Sequence, residues 1–252
     1  MTDAATTTTP RERYRQQVRA EIKARAWEQI AAAGTSALSL NAIAKHMGLS
    51  GAALYRYFTG RDELLTEMVR DAYQSLVSSF RAVAARKEGD LAALAHALRT
   101  WAIEDPQRYF LVYGPPVPGY RGPADITAMA SEIMGIVLDV CASTALDGPA
   151  TPAEIHAATH ETPLSKGPAP ASALRLAVSF WTRLHGVLAL ELSGHFAGMG
   201  LDPALLYEAE LDLLRLAERF SQEGSASPPR PHPRTSGEGI APKPAVPTTA
   251  DS

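Results

Sequence analysis

Apolar residues recur every three or four positions along most of this chain, and the alternation of Val, Ile, Thr and aromatic residues that marks strands is missing. That step predicts an all-α fold. Val18, Ile22, Ala26, Ile30 and Ala33 fall on one face of a first helix, about 11 to 33, which Gly34 stops. Ser39 caps a short helix carrying Leu40, Ile43, Ala44 and Met47, which Gly48 ends. Ser50 caps a third, about 50 to 57, that turns Leu54 and Phe58 inward. Thr59-Gly60 break the chain before a longer helix from 61 to 83. Helices follow at about 91–103, 106–113, 124–145, 171–194 and 203–222. The stretch GPPVPGYRGP, Gly114 to Pro123, has too many prolines to be anything but loop.

Hydrophobic residues make up 46% of the 252 and charged residues 20%, which is globular composition. The ends differ. Residues 1–10 are Thr-rich, and residues 224–252 hold seven prolines and almost no large apolar side chains, so both are expected to be disordered. Five prolines between 147 and 170 predict a long connection, with a turn of helix at 152–160. A single cysteine, Cys141, excludes an intrachain disulfide, and no run of about 18 apolar residues passes without interruption. The chain therefore reads as a cytoplasmic protein without a membrane partner.

Residues 39–58, SLNAIAKHMGLSGAALYRYF, have the pattern of two helices crossing about a glycine turn, which is either a helix-turn-helix or an ordinary helical hairpin. Charge favours the first. The whole chain has a net charge of −3, but residues 10–61 carry nine basic residues against three acidic ones, which leaves −9 on the remainder. Such asymmetry suits a protein that meets phosphate at one end only.

These residues resemble the tetracycline-repressor-like (TetR) transcriptional regulators. The resemblance rests on Ala26-x-x-x-Ile30-x-x-x-Gly34, Ile43-Ala44-x-x-x-Gly48-Leu49-Ser50, Leu54-Tyr55-x-Tyr57-Phe58 and Arg61-x-x-Leu64. It implies that the helix from Ser50 lies in the major groove of double-stranded DNA while Ser39, Tyr55, Tyr57 and the helix start at Arg61 hold phosphates. Ala53, Tyr57 and Arg61 depart from the usual Thr, His and Lys. Gly51, Ala52 and Ala53 offer bases at most a methyl, leaving Ser50, Tyr55 and Arg56 as the polar candidates. Arg56 suits a guanine edge and a phosphate equally. Arg11, Arg13 and Arg15 are expected to reach an adjacent minor groove as a flexible arm. The implied organisation is an arm at 1–10, a DNA-binding domain at 11–60, an effector-binding and dimerisation domain at 61–223, and a tail at 224–252.

In the body, Leu174, Val178, Trp181, His185, Leu188 and Leu192 form one heptad seam, and Leu206, Ala209, Leu213, Leu216 and Phe220 form another. The seams belong either to a homodimer's four-helix bundle or to the core of one chain. Trp181-x-x-x-His185-Gly186 and Asp105-Pro106-x-x-Tyr109 extend the resemblance to a Trp/His/Gly-type C-terminal domain. That domain implies a small apolar effector whose binding releases a palindromic operator. Trp101, Tyr109, Phe110, Tyr113 and Met134, with Trp181 and His185, are the candidate lining, although core packing explains them as well. His156-x-x-x-His160 has the spacing of metal ligands, but it lacks the His-Glu-x-x-His glutamate and lies among prolines, so no metal or cofactor is expected. No phosphate-binding glycine loop or nucleophile elbow points to an enzyme. The alternative function is a helical protein-binding module whose hairpin is structural.

Overall fold

The computed structural model describes residues 9–86, 90–144 and 170–224, and every regular element among them is a helix. The first, α1 (Pro10–Ala33), starts on a capping box. The Thr9 side chain accepts from the Glu12 N–H, the Glu12 carboxylate accepts from the Thr9 N–H, and Pro10 takes the first helical position. This start overturns the flexible-arm expectation, because Arg11, Arg13 and Arg15 ride the first turns of α1. A 3-10 turn (Thr35–Ala37), α2 (Leu40–His46) and α3 (Gly51–Leu54) follow.

The expected helix at 50–57 is shorter than its periodicity implied. After Leu54 the chain tightens, the Arg56 N–H bonding the Ala53 carbonyl at 3.3 Å and Tyr57 bonding Leu54 at 2.8 Å. Phe58 still reaches the core. Next comes α4 (Arg61–Ala84), which is shared between two cores. Its Leu64, Leu65 and Met68 pack with Val18, Ile22, Ile43, Leu54 and Phe58, whereas Ala72 through Val83 pack into the body.

The body is built from α5 (Leu91–Glu104), α6 (Pro106–Tyr113), α7 (Ala124–Thr144), α8 (Ala171–Leu192) and α9 (Pro203–Gly224). Asp90 and Asp105 cap α5 and α6 by accepting from the N–H groups of Ala93 and Arg108. By length and mean hydropathy one stretch of α7, Ala124–Ser143, could cross a membrane, although Asp125, Glu132 and Asp139 interrupt its apolar run. Here it serves as a core helix packed on α4 and α8. It buries Ile133, Val137, Leu138 and Cys141, and two of its three acidic residues pair with α4, Asp125 with Arg70 at 2.6 Å and Glu132 with Arg81 at 2.5 Å.

Both seams are redrawn by the packing. On α8, Leu174 and Leu188 are buried in the chain's own core, Leu192 is half-buried against it, and only Val178 of the aliphatic seam faces outward. On α9 the inward stripe is Tyr207, Leu211 and Leu214, one position away from the seam read in the sequence. Leu213 and Leu216 are exposed and Leu206 is half-buried. The Phe220 side chain, His156, His160, the expected turn at 152–160 and the tail beyond 224 lie outside the described residues.

Candidate functional site

The N-terminal unit holds its two crossing helices by local bonds. Gly48 takes φ +65°, a left-handed conformation that glycine adopts without steric cost, and this lets the Leu49 N–H reach back to the Ala44 carbonyl at 2.9 Å. Ser39 and Ser50 cap α2 and α3 by accepting from the Ala42 and Ala53 N–H groups at 3.3 and 3.1 Å. Each hydroxyl acts there as acceptor, which leaves its own proton to donate to a phosphate oxygen. Around this start Ser50, Ala52, Tyr55 (47% exposed) and Arg56 face solvent, whereas Ser39, Gly51 and Tyr57 are half-buried.

Arg61 is placed differently from a free phosphate clamp. One guanidinium nitrogen donates to the Thr35 carbonyl at 2.8 Å, tying the start of α4 to the turn that precedes α2. Two arginines of α1 brace the turn that follows α3. Arg15 lies 3.5 Å from the Arg56 carbonyl, and Arg19 donates to the Tyr57 carbonyl, pairs with Glu67 of α4 and stacks over Phe58 at 4.1 Å. No local sequence signal reveals the role of Arg19, since its partners lie 38 and 48 positions away. Lys23 repeats the tie one turn later, to Asp71 at 2.5 Å. At the end of the turn after α3, the Thr59 N–H and hydroxyl both donate to Glu63, which holds that carboxyl below its ordinary value.

In the body, six aromatic side chains and a histidine meet: Tyr73 of α4, Trp101 of α5, Tyr109, Phe110 and Tyr113 of α6, and Trp181 and His185 of α8. Tyr113 is the hub, with ring centroids 6.3 Å from Tyr73 and Trp101, 5.8 Å from Trp181, 5.4 Å from Tyr109 and 4.5 Å from His185. The lining read from sequence is thus brought together, with one exception and one addition. Met134 is half-buried on α7 and is not among the partly buried side chains packed on this core. Tyr73 is gained, and its only sequence signal is its place one turn before Leu76 and Val77 on the inner face of α4.

The cluster is electrically quiet. The Tyr109 hydroxyl lies 3.0 Å from His185 Nδ1 and 3.3 Å from the His185 carbonyl, and the Trp101 indole N–H donates to Ser75 Oγ at 2.8 Å. Burial lowers His185 to about 4 and raises Tyr109 to about 12, so both are neutral near pH 7. Two buried polar atoms in the cluster, Tyr113 Oη and His185 Nε2, have no hydrogen-bond partner among the described residues.

A braced helix-turn-helix on a basic N-terminal unit, carried by a helical body, defines a DNA-binding regulator. The family model for bacterial regulatory proteins of the tetR family matches residues 22–68, and that for the tetracyclin repressor-like C-terminal domain matches residues 91–214. HTH-type transcriptional regulator Rv1816 of Mycobacterium tuberculosis strain H37Rv is 34% identical over 214 residues, spanning 79% of this chain and 92% of that protein. The crystal structure of SCO4313, described as a regulatory protein, shares 64% identity at a TM-score of 0.75 and covers 82% of this chain and 98% of its own. At 16% identity and a TM-score of 0.50, the TetR family regulator PfmR from Thermus thermophilus shares the fold over 79% of this chain and 97% of its own. The chain belongs to the tetR family of bacterial regulatory proteins. It is a helix-turn-helix transcriptional regulator, of a family that binds DNA and does not catalyse.

Proposed function

We propose that this regulator is a cytoplasmic homodimeric repressor that holds a palindromic operator and leaves it when a small, largely apolar effector occupies the aromatic cluster. The observation that carries this reading is the double engagement of α6. Its Tyr109, Phe110 and Tyr113 belong to the cluster, while Leu111 and, just beyond the helix, Val117 and Tyr120 pack against the core of the N-terminal unit. A change in the ring cluster therefore reaches the DNA-reading helices through one short rigid element. On the DNA side, Ser50, Tyr55 and Arg56 are the readers, and Ser39, Tyr57 and Arg61 hold the backbone, Arg61 by way of the guanidinium nitrogen that lies 3.7 Å from Asp62.

Dimerisation fits the outward faces of α8 and α9, where Val178, Leu190, Leu213 and Leu216 are exposed apolar side chains. Two-fold symmetry of such a pair is what a palindromic site mirrors. The test is to sequence genomic fragments retained by the purified full-length protein and to footprint the best of them. The expected motif is an inverted repeat whose half-sites lie about one helical turn, 34–36 Å, apart or a multiple of it. An asymmetric motif, or higher expression of the target gene with the regulator present than in its deletion strain, overturns the palindrome or the repressor respectively.

A further inference from the structure

We infer that Tyr113 Oη and His185 Nε2 are the polar anchor of an uncharged, ring-bearing effector that carries an oxygen function, a hydroxyl or a carbonyl. This rests on the effector-site reading above and names the chemistry that the site selects. Buried polar atoms in folded proteins are almost always hydrogen-bonded, because an unpaired one loses its hydration without compensation. Both orphans here belong to one ring contact, the 4.5 Å approach of Tyr113 to His185. The two atoms are themselves closed to solvent while the rest of each side chain is only half-buried, so a molecule that bonds them enters by parting the rings from the exposed side. A wholly apolar ligand would pack on the rings and leave both atoms unpaired.

Charge is disfavoured on either side. Glu191, on the same helix as His185, is held away by Arg99 through two bonds of 2.6 and 2.9 Å, and among the described residues no carboxylate bonds the polar atoms of the cluster. Arg108 is seated over the Trp101 ring at 4.7 Å, donates to the Trp101 carbonyl at 2.6 Å and lies 3.8 Å from the Glu104 carboxylate, so its charge is already matched, and its buried Nε is left without a partner among the described residues. A quaternary ammonium ion would suit the ring faces but would offer the orphan atoms nothing to bond.

The Tyr109 hydroxyl decides which oxygen function fits. It has one proton and two acceptors in range, His185 Nδ1 at 3.0 Å and the His185 carbonyl at 3.3 Å. With the proton on the bond to Nδ1, Nε2 carries the ring hydrogen and donates, as Tyr113 can, which suits a carbonyl or a hydroxyl oxygen. With the proton on the bond to the carbonyl, Nδ1 donates to Tyr109 and Nε2 accepts, so only a hydroxyl bonds both atoms, while a carbonyl oxygen accepts from Tyr113 alone.

The experiment is calorimetric titration of the full-length protein with four probes of one size: tetralin, α-tetralol, α-tetralone and benzyltrimethylammonium. Tyr113→Phe keeps the ring and its neighbours while removing the hydroxyl, and His185→Gln is the second variant, both checked for native helix content and melting. The expected result is that tetralol binds about tenfold or more tightly than tetralin, and that each variant brings the two within about threefold without weakening tetralin. Tetralone binding as well as tetralol places the ring hydrogen on Nε2, and tetralone binding between tetralin and tetralol makes Nε2 the acceptor with Tyr113 alone bonding the carbonyl; either agrees with the anchor, whereas tetralone binding no better than tetralin overturns Tyr113 as a donor. Equal affinity for tetralin and tetralol, a preference that survives in either variant, or tighter binding of the ammonium probe overturns the anchor and leaves the apolar site standing. No binding of any probe at millimolar concentration overturns the effector-site reading itself.

Discussion

Gly51 starts the reading helix without any structural need to be glycine. Its φ is not positive, and a Cβ built there would stand 3.6 Å from Asn41 Oδ1, an ordinary contact. Glycine at a helical position costs stability relative to alanine, so a role for it in close approach of backbone to DNA is what the proposed function predicts. Gly51→Ala is expected to stabilise the fold by about 0.5 kcal/mol while weakening operator binding several-fold, as read by urea denaturation beside fluorescence anisotropy. Unchanged operator affinity would remove the close-approach role. His185 yields a second prediction with a definite sign. Its folded value of about 4 lies below the ordinary 6.5, so the unfolded chain binds more protons between those limits. The contribution is fully present above pH 6.5 and is lost as pH falls towards 4. Between pH 7.5 and 5 the wild-type protein should lose about 2 kcal/mol that His185→Gln does not, measured as the difference of their denaturation curves. Tyr109 and Tyr113, both raised by burial, stay un-ionised throughout that range and do not contribute to it.

At the scale of elements, the outward faces of α8 and α9 predict where two copies meet. Val178 is 47% and Leu213 50% exposed, so a glutamate at either can be solvated in a monomer but is buried and unpaired in the proposed dimer. Val178→Glu with Leu213→Glu is expected to sediment as a folded monomer of unchanged helix content. A dimer of normal mass would move the interface elsewhere. Leu188→Glu is a poor probe of the same surface, since Leu188 is fully enclosed by its own chain and its substitution would unfold the body. These two helices also show where sequence stops informing. The elements of the N-terminal unit were legible because their signals are local: Ser39 and Ser50 as caps, Gly34 and Gly48 as stops, and Val18, Ile22, Ala26 and Ile30 as one buried stripe. The length of α3 was not, because the bonds that tighten the chain after Leu54 are set by Phe58 reaching the core. On α9, leucines occupy positions 205, 206, 211, 213, 214 and 216, enough for two apolar faces. Periodicity cannot say which face belongs to the chain's own core, and only the packing of Tyr207, with its hydroxyl on the Ala95 carbonyl at 2.8 Å, decides it. The candidate lining was likewise legible as residue types, whereas the hub role of Tyr113 depends on four helices converging.

Across the whole molecule, the basic N-terminal unit and the acidic remainder predict how salt weakens DNA binding, and the proposed route of release runs through α6. Binding by Lys and Arg displaces condensed counterions, so the logarithm of operator affinity should fall linearly with the logarithm of salt, by about 0.9 for each phosphate neutralised on each of two subunits. Release is a separate matter of linkage. If occupation of the ring cluster favours a spacing of the two reading helices that the operator does not fit, the operator must in turn disfavour occupation, and by the same factor. Typical coupling makes that factor about 5 to 150. The measurement has two arms: operator affinity by anisotropy with and without saturating α-tetralol, and α-tetralol affinity by calorimetry with and without saturating operator. The two ratios should agree. Substituting Leu111, the α6 side chain that packs on the N-terminal core, by alanine should shrink both ratios together while leaving α-tetralol binding to the free protein intact, because Leu111 touches the core of the reading unit and takes no part in the ring contacts. Equal α-tetralol affinity for free and operator-bound protein would mean that the cluster binds without signalling. A Leu111→Ala protein with undiminished ratios would mean that the signal travels instead along α4, the other helix that belongs to both cores.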